Sequence, residues 1–97
     1  MINVNGIYAV GWSGGSYEES FHEERIISGK ANAEALFNKL RDNATKDHYN
    51  DRNYYSDAVD HISLTAVTVN EEGHFLPDWW NPVKEIEWDY KCHCWEE

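Results

Sequence analysis

Apolar and polar positions alternate along much of this chain, and the period of that alternation changes at recognisable places. Residues 7–12, from Ile7 to Trp12, are almost entirely apolar or aromatic and run into Ser13-Gly14-Gly15-Ser16, a strand followed by a turn signal. A second extended run follows, with Tyr17, Glu19, Phe21, Glu23, Arg25 and Ile27 on one face and Glu18, Ser20, His22, Glu24 and Ile26 on the other. It is half polar on both faces, as an edge strand is, so the two runs predict a β-hairpin. Gly29 stops the second strand, and Asn32 stands where a helix N-cap is expected. Ala33, Leu36, Phe37 and Leu40 then recur at i, i+3, i+4 and i+7, which predicts an amphipathic helix over about 33–43. Glu34 suits the positive end of that helix, and Lys39 and Arg41 suit its negative end.

Residues 44–57 show no period and much polarity, and they read as a long loop, a kind that often carries function. The β pattern returns from Val59 to Val69, with Ile62, Leu64 and Ala66 on one face and Val67 and Val69 on the other. Asn70-Glu71-Glu72-Gly73 is a hairpin-type turn into a further short strand at His74-Phe75-Leu76. Pro77 and Pro82 bracket a break in the sheet, because proline has no N–H to donate to a ladder. The last run alternates from Glu85 onward, with Ile86, Trp88, Tyr90, Cys92 and Cys94 on one face and Glu85, Glu87, Asp89, Lys91 and His93 on the other. The expected architecture is α+β: an antiparallel sheet of about four strands in β-β-α-β-β order, with one helix packed on one face. At 97 residues the chain amounts to a single domain.

Charge changes the picture most. Eighteen Asp and Glu face eight Lys and Arg, a net charge of −10, which disfavours direct binding to nucleic acid or to anionic membrane. No run of 18 apolar residues is present to span a membrane, and the first residues lack the pattern of a signal peptide, so a cytoplasmic location is expected. Cys92 and Cys94 are two residues apart, a spacing at which a disulfide is strained, and they are expected to be core-facing thiols beside an exposed His93.

Motifs for chemistry are weak. Cys92-His93-Cys94 alternates across a strand and lacks a second ligand pair for zinc. Asp51-Arg52-Asn53 opens like a calcium loop but lacks the later ligands and the glycine, and Asp47, Asp51 and Asp57 form no defined site. The Gly11–Ser16 loop precedes a strand rather than the helix that phosphate binding needs. No nucleophile elbow or zinc-protease helix occurs, so neither enzyme activity nor a cofactor is expected.

The acids are grouped. Glu18, Glu19, Glu23 and Glu24 lie on the second strand, Glu71 and Glu72 at a hairpin tip, and Glu85, Glu87 and Asp89 along one face of the last strand, about 7 Å apart. That spacing is close to the phosphate repeat of a nucleic-acid strand. Tyr54, Tyr55, Trp79 and Trp80 are aromatic residues expected to be exposed, and Tyr and Trp dominate binding hot spots. Together these residues point to a basic protein partner whose Arg side chains pair with carboxylates and stack on rings. In size, acidity and aromatic content, with runs such as Tyr17-Glu18-Glu19 and Glu85-Ile86-Glu87-Trp88-Asp89-Tyr90, the chain resembles small phage anti-defence proteins, including anti-CRISPR proteins that block nucleic-acid-binding nucleases. The resemblance implies a non-catalytic inhibitor, a DNA mimic occupying a basic groove in the host cytoplasm. The alternative expectation is a structural or accessory module that self-associates, as a homodimer for example, through its edge strands and Trp79-Trp80.

Overall fold

The computed structural model describes residues 6–15, 20–50, 58–92 and 94–97. Elements follow in the order β1 (Ile7–Gly14), β2 (Phe21–Ser28), α1 (Lys30–Asn50), β3 (Val59–Val69), β4 (Phe75–Pro77), β5 (Lys84–Asp89) and β6 (Cys94–Glu96). The class is α+β as expected, but the sheet has six strands rather than about four. All pairings are antiparallel, in the order β2-β1-β3-β5-β6, with β4 also paired to β3.

One helix covers one face. Val10, Ile62, Leu64 and Ile86 meet Ala33 and Phe37 in a closed core, and Tyr8, Trp12, Ile27, Leu36, Leu40, Val59 and Trp95 pack around it. Phe37 is fully buried, and the Lys84 ammonium stands 4.8 Å from its ring centroid. Lys84 thereby keeps its charge at the rim while its stem covers apolar surface.

The helix is longer than its early stripe suggests. It starts at Lys30, because Gly29 takes φ +94°, turns the chain out of β2 and accepts the Ala33 N–H through its carbonyl. The N-cap is therefore Gly29 and not Asn32, whose side-chain amide donates back to the Ser28 carbonyl at 3.1 Å. At the other end, residues 44–50 are helical rather than loop, since Ala44 and His48 carry the buried stripe onward at steps of four from Leu40. Lys39 and Arg41 thus sit in mid-helix and do not act on its C-terminal dipole. Residues 51–57, with Tyr54 and Tyr55, lie outside the described residues.

The end of the helix is held by an aromatic cluster. His48 stacks on Trp88 at 4.3 Å and 1°, and Trp95 meets Trp88 edge-on at 5.2 Å. The His48 Nε2–H donates to the Val59 carbonyl (2.9 Å), and the Trp95 indole N–H donates to Thr45 Oγ1 (2.8 Å). His48 and Trp95 are thereby partnered, whereas the buried Trp88 indole N–H has no hydrogen-bond partner among the described residues. Nearby, the Tyr90 hydroxyl donates to Asp60. Burial raises the Asp60 carboxyl above its ordinary value, and burial together with that carboxylate pushes the Tyr90 hydroxyl up to about 12.

The last predicted strand ends early. Its alternation holds from Lys84 to Asp89, but the Asp89 carboxylate then accepts the Lys91 N–H at 2.8 Å and bends the chain back into β6. Trp88 pairs across the resulting hairpin with Trp95. Cys92 and Cys94 are not core-facing thiols: both are exposed and joined in a disulfide at that turn. His93 lies outside the described residues. Ala66, expected on the core face, is exposed. Among the described residues, no helix is long and apolar enough to cross a membrane.

Candidate functional site

The sheet face away from the helix carries the chain's concentrated chemistry. Antiparallel partners share a face, so the strand register maps it directly. One row across the sheet runs His22, Ser13, His61, Glu87, Glu96; the next runs Glu24, Gly11, Ser63, Glu85. With Asp89, this open face holds five strand carboxylates; among the described residues Arg25 and Lys84 of these strands lie on the helix side, and Lys91 stands in the turn beside Asp89. The helix, by contrast, carries four basic and three acidic side chains and is close to neutral. The charge is therefore segregated by face.

Residues 78–83 build relief on this face. β4 and β5 pair with the same partner strand, β3, as one interrupted strand. Between them the chain departs where the Asp78 N–H meets the Ala66 carbonyl and returns where the Val83 N–H meets Leu64, at 2.8 Å. Thr65 Oγ1 donates to the Asp78 carbonyl and ties the excursion to the strand below it. The excursion reaches across β3 to lay the six-membered ring of Trp79 on Gly11 of β1. A Cβ at position 11 would stand 3.0 Å from Trp79 Cη2, so glycine lets the ring sit this close without shifting.

Trp79 then walls a cavity of about 180 Å³, lined also by Gly11, His22, His61, Ser63 and Glu85. Glu85 is its fixed charge. Its Oε2 accepts the Ser63 hydroxyl at 3.0 Å and stands 3.2 Å from His61 Nε2. Serine and histidine both address the carboxylate, so the hydroxyl is not set up as a nucleophile with the imidazole as its base. His22 turns towards Glu24 at 4.0 Å. The two imidazoles thus engage different carboxylates and do not converge on one point.

Beside the cavity the acids crowd. Glu87 is paired directly opposite Glu96, an unfavourable like-charge placement. Asp89 is held below the usual carboxylate range by the Lys91 N–H and by a hydrogen bond with Glu96. That same bond, with the Asp89 charge, pushes Glu96 up. The Cys92 sulfur lies near the Asp89 and Glu96 oxygens, but it is bonded to Cys94 and is no thiolate ligand.

Among the residues singled out from sequence, Glu24, Glu85, Glu87, Asp89 and Trp79 come together on the open face. Trp80 beside them is 94 % exposed, whereas Trp79, expected to be exposed, is half-buried on Gly11. Glu23 is opposite Trp12 and so belongs to the helix side of the edge strand. Glu71 and Glu72 sit at the β3–β4 hairpin tip, where Asn70 Oδ1 accepts the N–H groups of Glu72 and His74. Glu18, Glu19, Tyr54 and Tyr55 lie outside the described residues. Sequence reasoning missed Gly11, His61, Ser63 and Glu96. His61 and Ser63 were visible as the polar positions interleaved with buried Ile62 and Leu64, and their parity places them on the face opposite the core.

The fold and this face define an α+β protein with one helix-covered and one acid-lined sheet face. Comparison with protein-family models, with curated proteins and with solved structures returned no match to the chain.

Proposed function

We propose that the chain is a non-catalytic binding protein whose open sheet face docks on a basic, Lys- and Arg-rich surface of a partner protein, of the kind that holds nucleic acid. The observation that carries this reading is the segregation of charge: five strand carboxylates share one face, where among the described residues no strand Lys or Arg is placed, against a near-balanced helix on the other. Holding Glu87 against Glu96, with Asp89 alongside, costs folding stability, and a cationic surface relieves that repulsion on docking. Such a field steers association, while Trp79 and the exposed Trp80 supply apolar contact that slows release. Occupying the groove would exclude nucleic acid, as an anti-defence inhibitor does.

Self-association through the free edge is the weaker reading. Each copy carries a net charge of −10, and the edge strand β2 presents His22, Glu23, Glu24 and Arg25 in succession, a charged edge of the kind that discourages strand pairing.

The test is a titration of the ¹⁵N-labelled protein with a nona-arginine peptide, followed by NMR. Shifts are expected at Gly11, Ser63, Glu85 and Glu87, with α1 unmoved. Shifts spread evenly over both faces would reject the docking face.

A further inference from the structure

The cavity beside Trp79 differs from the acidic strip around it, because it has walls. At about 180 Å³ it is smaller than the roughly 300–1,000 Å³ of typical small-molecule sites and matches a single side chain. Its wall is the Trp79 indole, seated on Gly11. Its fixed charge is the Glu85 carboxylate, engaged through Oε2 by Ser63 and His61. Among the described residues, no Lys or Arg lines it.

We infer that this cavity is the receptor for one arginine side chain of the basic partner, with the guanidinium stacked on Trp79 and hydrogen-bonded to Glu85. The inference rests on the docking reading above and names the contact at its centre. The planar, delocalised guanidinium is weakly hydrated and stacks on aromatic rings, while its forked N–H groups match a carboxylate. An ammonium offers a compact, strongly hydrated charge that gains less from an indole wall, so arginine is preferred to lysine. An anion is excluded by the surrounding carboxylates. The Ser63 and His61 contacts hold the Glu85 rotamer before the partner arrives, so little ordering entropy remains to be lost on binding.

The experiment uses two small probes, Nα-acetyl-arginine methylamide and Nα-acetyl-lysine methylamide, titrated into the ¹⁵N-labelled protein. The arginine probe is expected to move the Trp79 indole N–H and Gly11 amide peaks saturably. The lysine probe should bind at least fivefold more weakly. Glu85→Gln should remove the response, Gly11→Ala should weaken it by displacing the indole, and Glu34→Gln, on the helix, should preserve it. Equal response to both probes, no response of Trp79, or full response in Glu85→Gln would each overturn the assignment. Should nona-arginine still map to the open face with Glu85→Gln affinity unchanged, the cavity assignment fails while the docking face stands. Should the peptide miss that face altogether, the docking reading itself falls.

Discussion

Trp79 and Trp80 are adjacent in sequence and opposite in environment, so truncating each in turn isolates what the 78–83 excursion contributes. Trp79 lies half-buried on Gly11, and Trp80 is 94 % exposed. A tryptophan buries about 150–250 Å² when enclosed, so a half-buried ring hides roughly 100 Å². At about 25 cal/mol per Å², Trp79→Ala should lose about 2.5 kcal/mol. Trp80→Ala should stay within about 0.5 kcal/mol, as surface substitutions do. Urea unfolding followed by far-UV circular dichroism reads both without relying on tryptophan emission. With a slope of about 1–3 kcal/mol per M, the Trp79→Ala midpoint should fall by roughly 0.8–2.5 M. Equal midpoints for the two variants, or a Trp79→Ala loss below about 0.5 kcal/mol, would show that the indole does not anchor the excursion.

Three further outcomes follow from the packing and the buried groups. Phe37→Ala empties the centre of the core and should cost about 3–5 kcal/mol in the same urea assay. Thr45→Val removes the acceptor of the Trp95 indole N–H and should cost about 1–3 kcal/mol, whereas Thr45→Ser, which keeps the hydroxyl, should cost less. The Asp60 carboxyl is raised in the fold, so its contribution is fully present below its unfolded value and is lost as pH rises through the folded one. Asp60→Asn should therefore compare more favourably with the parent at pH 7 than at pH 3, and a midpoint difference that does not change between the two would refute the burial argument.

Periodicity made much of this fold legible. The β1–β2 hairpin, the edge character of β2, the Asn70–Gly73 turn and the inward positions Ile62, Leu64, Ile86 and Trp88 all follow from alternation, because side-chain direction is a local property of a strand. Helix length was less visible, since polar residues surround Ala44 and His48, and a histidine reads as polar even when it stacks on an indole. The early end of β5 was hidden because Asp89 satisfies the alternation and also caps a turn, and only the backbone decides between the two. The cavity depends on register between strands far apart in sequence. Gly11, Ser63 and Glu85 share one row through two antiparallel pairings, and Trp79 reaches them only because β4 and β5 use the same side of β3. Their polar parity could be read locally, but their adjacency could not.

The central claim is that charge acts by face rather than by total. Two triple variants separate these, because both remove three negative charges: Glu87→Gln with Asp89→Asn and Glu96→Gln on the open face, and Glu34→Gln with Asp42→Asn and Asp47→Asn on the helix. Affinity for nona-arginine, measured by calorimetry at low salt, should fall tenfold or more for the open-face triple and less than threefold for the helix triple. Equal losses in the two would mean that net charge alone attracts the peptide, and that the open face is no docking surface.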